Sequence, residues 1–588
     1  MNSSAGQRQV RVAENDSLCT LLLSVAVAAS LLPFVGKAFH IDDTLFLMAA
    51  RQIRHDPLDF YGCDVNWYGT TMRMADVTKN PPLTCYFLAC VAGLAGWSEP
   101  LLHAAMLVPA AAAVIGTWRL ALHWTRARES AVVAALATLA SPAFLISSTT
   151  VMCDTMMLAF FIWAIVLWEQ GLRNDDPRWL VGAGLLAAAC GLTKYFGVAL
   201  IPLLFIHGLV FRRRAGWWLA ALLLPIAALV GYQLWTKQLY GQGLLSDAAD
   251  YATNTRALSG EHSLQQLLTG LTFTGGCCLP ALCCLPWLWG PRAVAGWGVL
   301  AAAVGLIFNA VFPGSKQADW SLMVVAAQGG LFASAGAATL AMAAADCRRR
   351  SDMASMLLLL WVVGTFVFAT AVNWTVNGRS VLPLVPAVAI LLARRLEDHS
   401  LASRVTVALF PDAHRVTPAL PLAVSLVVSL VMAHADSSHA DSARKAAAMV
   451  RDRAAARPHG RTWFQGHWGF QHYMEAWGAL PLDFENPVIH PGDLLVIPAN
   501  NTNCELVNGR QFVIVEEFSL PLCSWASVFQ YSSRTGFYGS GWGPLPFGFG
   551  PTMPEIYQIL EFTGDLTEAS PAAYESNEEP ATMRTDLH

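Results

Sequence analysis

Charge is what this chain has least of. Asp, Glu, Lys and Arg together make up 13% of its 588 residues, with 41 acidic against 37 basic side chains. Soluble globular proteins carry about 25%. The net charge is only -4 and no run of basic residues stands out, so nucleic acid is not an expected partner. No glycine-rich phosphate loop is found, which excludes a nucleotide site of the familiar loop-and-helix kind. No CxxC pair has a second pair to complete a zinc site, and no metal or cofactor is expected. Most of the 13 cysteines lie in apolar segments, as in Cys277-Cys278 and Cys283-Cys284, where they read as small packing residues. Cys504 and Cys523 lie in a polar region, and a disulfide between them is possible if that region is extracytoplasmic. No internal repeat is evident.

What the chain has in abundance is hydrophobic length. Apolar residues make up 55% of it, and the mean hydropathy is +0.44. This is the composition of an α-helical polytopic membrane protein. The segment 18–39 is long enough to span and has no clear cleavage site, so it reads as a retained first helix. Further spans are expected near 101–122, 130–149, 152–169, 178–193, 196–211, 215–236, 264–290, 293–313, 319–345, 353–372, 380–396 and 417–434, about thirteen crossings in all. The stretch Pro82 to Trp97 is apolar but too short to cross. Arg126, Arg173, Arg178, Arg212 to Arg214, Arg348 to Arg350, Arg394 and Arg395 then all fall on one side, as the positive-inside rule requires of a cytoplasmic face.

This gives a domain plan. Residues 1–17 form a cytoplasmic tail and 18–434 a membrane bundle, with a first extracytoplasmic loop at 40–100. An extracytoplasmic α/β domain at 435–565 and a disordered acidic tail at 566–588 follow. In the α/β part, HWGFQHYMEAWG reads as helix, and DLLVIPA and QFVIVEEF read as strands. His467 and His472 are five apart, a poor spacing for a shared metal on a helix, and read as packing residues.

Against so apolar a background, each charge at a membrane edge calls for a reason. The expected topology brings six to one face: Asp42, Asp43 and Lys79 in the first loop, Asp154 at the start of a span, Lys194 at the end of another, and Arg379 before a third. Both signs are present. Cations hold a phosphate, and a carboxylate can take a proton from a hydroxyl. Each residue also has a plainer role open to it. Asp42 or Asp43 can cap the helix that follows, and Asp154 can be an ion-pair partner. Lys194 and Arg379 can anchor at the interface, and Lys79 can be a loop cation. In that following helix, Phe46, Ala49, Ala50 and Ile53 form an apolar face suited to a membrane surface. Trp67 and Tyr68 read as interfacial belt residues.

The order of these motifs carries a resemblance. Asp42-Asp43 after the first span, Pro81-Pro82-Leu83 closing the loop, Leu192-Thr193-Lys194, and Arg379 ahead of Pro383 and Pro386 are similar to the GT-C type glycosyltransferases. Within these, the chain resembles the protein O-mannosyltransferase-like family (glycosyltransferase family 39) and the aminoarabinose transferases of lipid A. The resemblance covers roughly 18–395. It implies a GT-C-like bundle in a bacterial inner or plasma membrane, with the active site on the extracytoplasmic side. There a sugar would move from a polyprenyl-phosphate donor to a protein hydroxyl, glycolipid or cell-envelope glycan. It implies Asp42, Asp43 and Asp154 as catalytic residues, with Asp42 the base or acceptor-orienting group, and Lys79, Lys194 and Arg379 as ligands of the lipid phosphate. Two positions depart from the family pattern. Ser380 stands where relatives often have Tyr, and Asn80 separates Lys79 from the Pro pair. A transporter or flippase of a lipid-linked saccharide is the alternative, and an inactive protein of the same fold is a third reading. A transporter would place charges near mid-membrane and show repeats.

Overall fold

The computed structural model describes residues 2–258, 262–312, 322–402, 419–456, 460–505 and 511–564. The acidic tail expected over 566–588 lies outside them.

Helices dominate because apolar backbone in lipid must satisfy its own N–H and C=O groups. Among the described residues, nine helices are long and apolar enough to cross a membrane, or up to eleven if each of two bent pairs is one span. Two further spans expected from sequence are also helical, over Pro177–Thr193 and Val385–Ala402. Each of the thirteen expected spans is thus helical over most of its length.

The breaks are informative. Arg128–Leu139 and Pro142–Ser148 meet at 59°, and Ser263–Cys277 and Leu279–Leu285 at 80°. Each second helix carries a proline in its first turn, Pro142 or Pro280, which has no N–H with which to continue the hydrogen bonding of the helix before it. Pro280 therefore moves a boundary. The span expected at 264–290 stops at Cys277, and one continuous helix runs from Leu279 to Val311.

The first loop carries the helix Asp43–His55, a hairpin pairing Asp64–Asn66 with Thr71–Arg73, and the short apolar helix Leu83–Ala95. Phe46, Ala49, Ala50 and Ile53 are all buried, but by protein rather than lipid: the first loop helix packs against Leu83–Ala95 and Trp468–Ala476. Trp67 is buried too, with its ring 5.4 Å from that of His467, so it is not a belt residue.

The last span and the charged segment after it are one helix, Ala419–Ala455, so a domain boundary at 434/435 falls inside a continuous element. Thirty-seven residues extend about 55 Å, well beyond a hydrocarbon core of about 30 Å. The helix leads into a five-stranded mixed sheet. Its order is Leu480–Pro481, Thr462–Phe464, Leu494–Pro498, Glu555–Phe562, Phe512–Leu520. The first three strands run parallel and the last two pairings are antiparallel. This small α/β unit sits on the first loop: Thr44 Oγ1 donates to Trp468 O and Asn66 Nδ2 to Leu482 O. Cys504 and Cys523 are both free thiols.

Candidate active site

Asp42 stands at the head of the first loop helix, yet its side chain makes no capping hydrogen bond. Instead its Oδ2 accepts from Arg379 Nη1 at 2.7 Å. Arg379 Nε donates to Asp154 Oδ2 at 2.8 Å, and Asp154 Oδ1 receives Lys194 Nζ at 2.5 Å. Four of the six expected residues thus form one chain of alternating charge, Asp42–Arg379–Asp154–Lys194, drawn from four distant stretches of sequence. Its exposure is graded. The Asp154 side chain is 1% exposed, Arg379 10%, Lys194 17% and Asp42 30%. The chain therefore opens at its two ends and is sealed in the middle.

Local structure explains each position. Asp154 begins the helix Asp154–Asn174, and Lys194, in extended backbone, ends Pro177–Thr193. Arg379 sits in the four-residue helix Gly378–Val381, capped by Asn377 Oδ1, which accepts from Ser380 N–H at 2.7 Å. Ser380 Oγ also donates to Asn377 Oδ1 and accepts from Asn373 Nδ2, so the residue replacing the family's Tyr braces this turn. Gly378 is required by close approach, since a Cβ there would meet the Phe537 ring at 2.2 Å.

Asp43 and Lys79 lie apart from this chain. Asp43 is fully buried and accepts from two backbone amides, His40 and Val151, each at 2.9 Å. Burial pushes its carboxyl up to about 7, against the opposing pull of Lys37 and these two amides. It neither faces the four-residue chain nor caps its own helix. Lys79 Nζ donates to Asp247 Oδ2 at 2.6 Å and lies 5.4 Å from the centre of the Tyr251 ring. The neighbouring Asn80 instead accepts, at 3.7 Å, from the Sγ of Cys153, the residue before Asp154. Burial raises the hydroxyls of Tyr68 and Tyr251, which interact with each other and with the Asp42 charge.

Sequence reading missed a second charged group beside the first. Lys37 Nζ meets Asp436 Oδ2 at 2.5 Å, and Tyr538 OH donates to the same oxygen at 2.8 Å. Lys37 is a lone charge near the end of an apolar segment, the very signal that singled out Lys194, whereas Asp436 opens the charged stretch after the last span. His467 and His472 are held neutral by burial, each pushed down to about 4; His467 meets Gln471, and His472 meets the ring of Phe39.

With this geometry in place, comparison with known proteins is informative. Residues 79–235, which carry Lys79, Asp154 and Lys194, match the family model for dolichyl-phosphate-mannose-protein mannosyltransferase. That match covers little more than a quarter of the chain and supports reading it as a glycosyltransferase. Comparison with curated proteins finds no match. Among solved structures, the chain is similar to ArnT from Cupriavidus metallidurans bound to undecaprenyl phosphate. That match has 14% identity, covers 82% of this chain and 93% of that one, and has a TM-score of 0.43. The Archaeoglobus fulgidus oligosaccharyltransferase in the apo form matches with 14% identity, 79% and 64% coverage, and a TM-score of 0.45. The S. cerevisiae Pmt1-Pmt2 complex bound to the sugar donor matches with 16% identity, 41% and 36% coverage, and a TM-score of 0.30.

Proposed function

We propose that this glycosyltransferase takes its sugar from a polyprenyl-phosphate donor on the extracytoplasmic face. The acceptor is a hydroxyl of a protein, glycolipid or cell-envelope glycan. The observation that carries this reading is the Asp42–Arg379–Asp154–Lys194 chain, half-open at a carboxylate and at an amine.

The chemistry needs both ends. The acceptor oxygen attacks the anomeric carbon as the bond from that carbon to the phosphate oxygen breaks. The phosphate leaves with the bonding pair, and the acceptor's proton passes to a base. Asp42 is that base: Arg379 engages its Oδ2, which leaves Oδ1 for the acceptor hydroxyl. Lys194 and Arg379 hold the departing phosphate, where fixed cations stabilise growing negative charge without having to reorganise. Asp154 is the buried counter-charge that fixes both cations at 2.5 and 2.8 Å. Lys79 belongs to the loop wall through its pair with Asp247. The α/β domain over 435–565 covers the first loop and shapes acceptor entry. Interlinked basic residues at the other end of the bundle, including Arg126, Arg350 and Arg394, favour a cytoplasmic position for that end.

The test is transfer in vitro from radiolabelled polyprenyl-phosphate sugars, with unreacted donor separated from lipid, protein and glycan products. Label that stays on every donor and enters none of the three products would refute the donor assignment.

A further inference from the structure

The segments carrying Asp42 and Asp154 are bracketed by more than their shared contact with Arg379. Lys37 Nζ donates to Thr149 Oγ1 at 3.2 Å, and Val151 N–H donates to Asp43 Oδ1 at 2.9 Å. Residues 37–43 and 149–154 are therefore pinned to each other twice, on either side of Asp42 in the first segment and just ahead of Asp154 in the second. Lys37 is itself pinned to Asp436, in the long helix Ala419–Ala455, and Asp436 to Tyr538 of the C-terminal unit. His40 Nε2 stands 3.6 Å from the other Asp436 oxygen. The residue before Tyr538 reaches the third segment of the site: Phe537 O accepts from Gly378 N–H at 2.7 Å, next to Arg379. One turn of the C-terminal unit thus grips both the Lys37–Asp436 pair and the residue next to the arginine that bridges Asp42 to Asp154.

We propose that Lys37, Asp436 and Tyr538 form a positioning frame through which the C-terminal unit sets the spacing of Asp42, Arg379 and Asp154. This rests on the reading of that chain as the reactive site. Lys37 and Asp436 are each 1% exposed, and removing charge from water so completely is costly. Buried pairs often contribute little stability compared with apolar residues of the same volume, and their best-attested use is to fix register. Here the register is that of the two acids. The frame residues are positioning residues, since their side-chain contacts lie outside the Asp42–Arg379–Asp154–Lys194 chain.

Replacing Lys37 alone would strand a buried carboxylate, so the test removes both charges. Lys37→Met/Asp436→Leu in the full chain, reconstituted in nanodiscs, is compared with wild type for melting temperature, polyprenyl-phosphate binding, kcat and KM. The expected result is a folded protein with unchanged lipid binding and a kcat lowered by ~10–100-fold, the scale of a misplacement of about 1 Å. Tyr538→Phe should lower kcat by less, again without loss of lipid binding. A double variant with wild-type kcat overturns the frame. So does one that fails to fold or loses lipid binding in step with kcat, because the pair is then merely structural. A structure of the double variant gives a readout that does not depend on knowing the donor. The 2.7 Å Arg379–Asp42 contact should open, and an intact contact overturns the proposal. Wild-type protein that transfers no sugar from any polyprenyl phosphate would instead refute the functional reading, while the structural readout still decides the frame.

Discussion

Two of the charge clusters among the described residues, one at each end of the bundle, are built differently. At the site end, Asp42, Arg379, Asp154 and Lys194 contact one another side chain to side chain. At the other end, the cluster around Arg394 is tied to the backbone. Arg394 Nη1 donates to Trp124 O, Glu397 Oε1 accepts from the amides of Arg126 and Ala127, and Arg350 Nη2 donates to Arg394 O. Asp352 caps its own helix and also pairs with Arg394. Charges locked to peptide groups hold helix ends together and cannot exchange partners without unfolding a turn. Charges that meet only other side chains can trade a partner for a substrate. The same contrast separates neighbours at the site end: Asp43 holds two backbone amides, and Asp42 holds a guanidinium.

The sharpest way to break this comparison is to neutralise one residue at each end. Asp42→Asn should lower turnover by about 10²–10⁴-fold, the usual span of general-base help, with melting temperature and donor binding nearly unchanged. Full turnover in the folded variant would move the base elsewhere. Arg394→Met should do the reverse. It removes the cation that Asp346 and Asp352 share. Asp346 keeps Arg350 at 3.4 Å and the Asp352 side chain is 46% exposed. The cost in stability is therefore that of a lost charge-assisted contact, about 1.5–3 kcal/mol. Thermal unfolding in detergent would show this, with kcat of the surviving folded fraction unaltered. Equal loss of turnover in the two variants, per folded molecule, would erase the distinction between the ends.

Arg379→Lys sharpens the comparison within the site. A guanidinium can serve Asp42 and Asp154 at once through Nη1 and Nε, whereas an ammonium lacks that planar fork. Loss of one charge-assisted contact, worth about 1.5–3 kcal/mol, corresponds to about a 10–100-fold weaker grip on donor and transition state. Donor affinity and kcat measured separately should both fall. A change in neither would make the bridging geometry irrelevant to the reaction.

The fold was largely legible in the sequence, because spans and their flanking arginines are read from composition alone. Prolines decided what composition could not, as Pro280 did at the break after Cys277. Within the site, sign and edge position singled out Asp42, Asp154, Lys194 and Arg379, but could not say which pairs would meet. Asp43 illustrates the limit. A carboxylate beside a carboxylate looks the same in sequence whether it faces substrate or backbone. Lys37 and Asp436 were legible in principle, but 399 residues separate the partners and only the fold joins them. The apolar face of the first loop helix was read correctly as apolar. Its partner, the helix Trp468–Ala476, could not be foreseen from periodicity.

Asp43 supplies a pH test of its backbone role. Its folded-state value is raised to about 7, so the folded protein holds this proton more tightly than the unfolded chain does. The contribution to stability is fully present below the ordinary carboxylate range and is lost as pH rises through about 7. The buried histidines His467 and His472 run the other way, costing stability as pH falls below about 6.5, so the comparison must be between variants. Asp43→Asn should be less stable at pH 5, because an amide nitrogen cannot accept from both His40 and Val151. The gap to wild type should narrow toward pH 8. Melting curves across that range that stay parallel would show that Asp43 does not titrate there.

The smallest effect is expected at Lys79. Its pair with Asp247 is about a fifth exposed on the lysine side and a quarter on the aspartate side. Solvent screening leaves such a pair at most about 1 kcal/mol. Lys79→Ala should therefore shift melting by little and leave kcat close to wild type, with KM for the acceptor rising a few-fold if the loop wall loosens. The converse has a distinct signature. If Lys79 grips the lipid phosphate, as its place before the Pro pair suggests, donor affinity should fall as far as in Lys194→Ala. Measuring polyprenyl-phosphate binding to both variants side by side separates the two roles, because Asp247→Asn would mimic Lys79→Ala only if the pair itself is what matters.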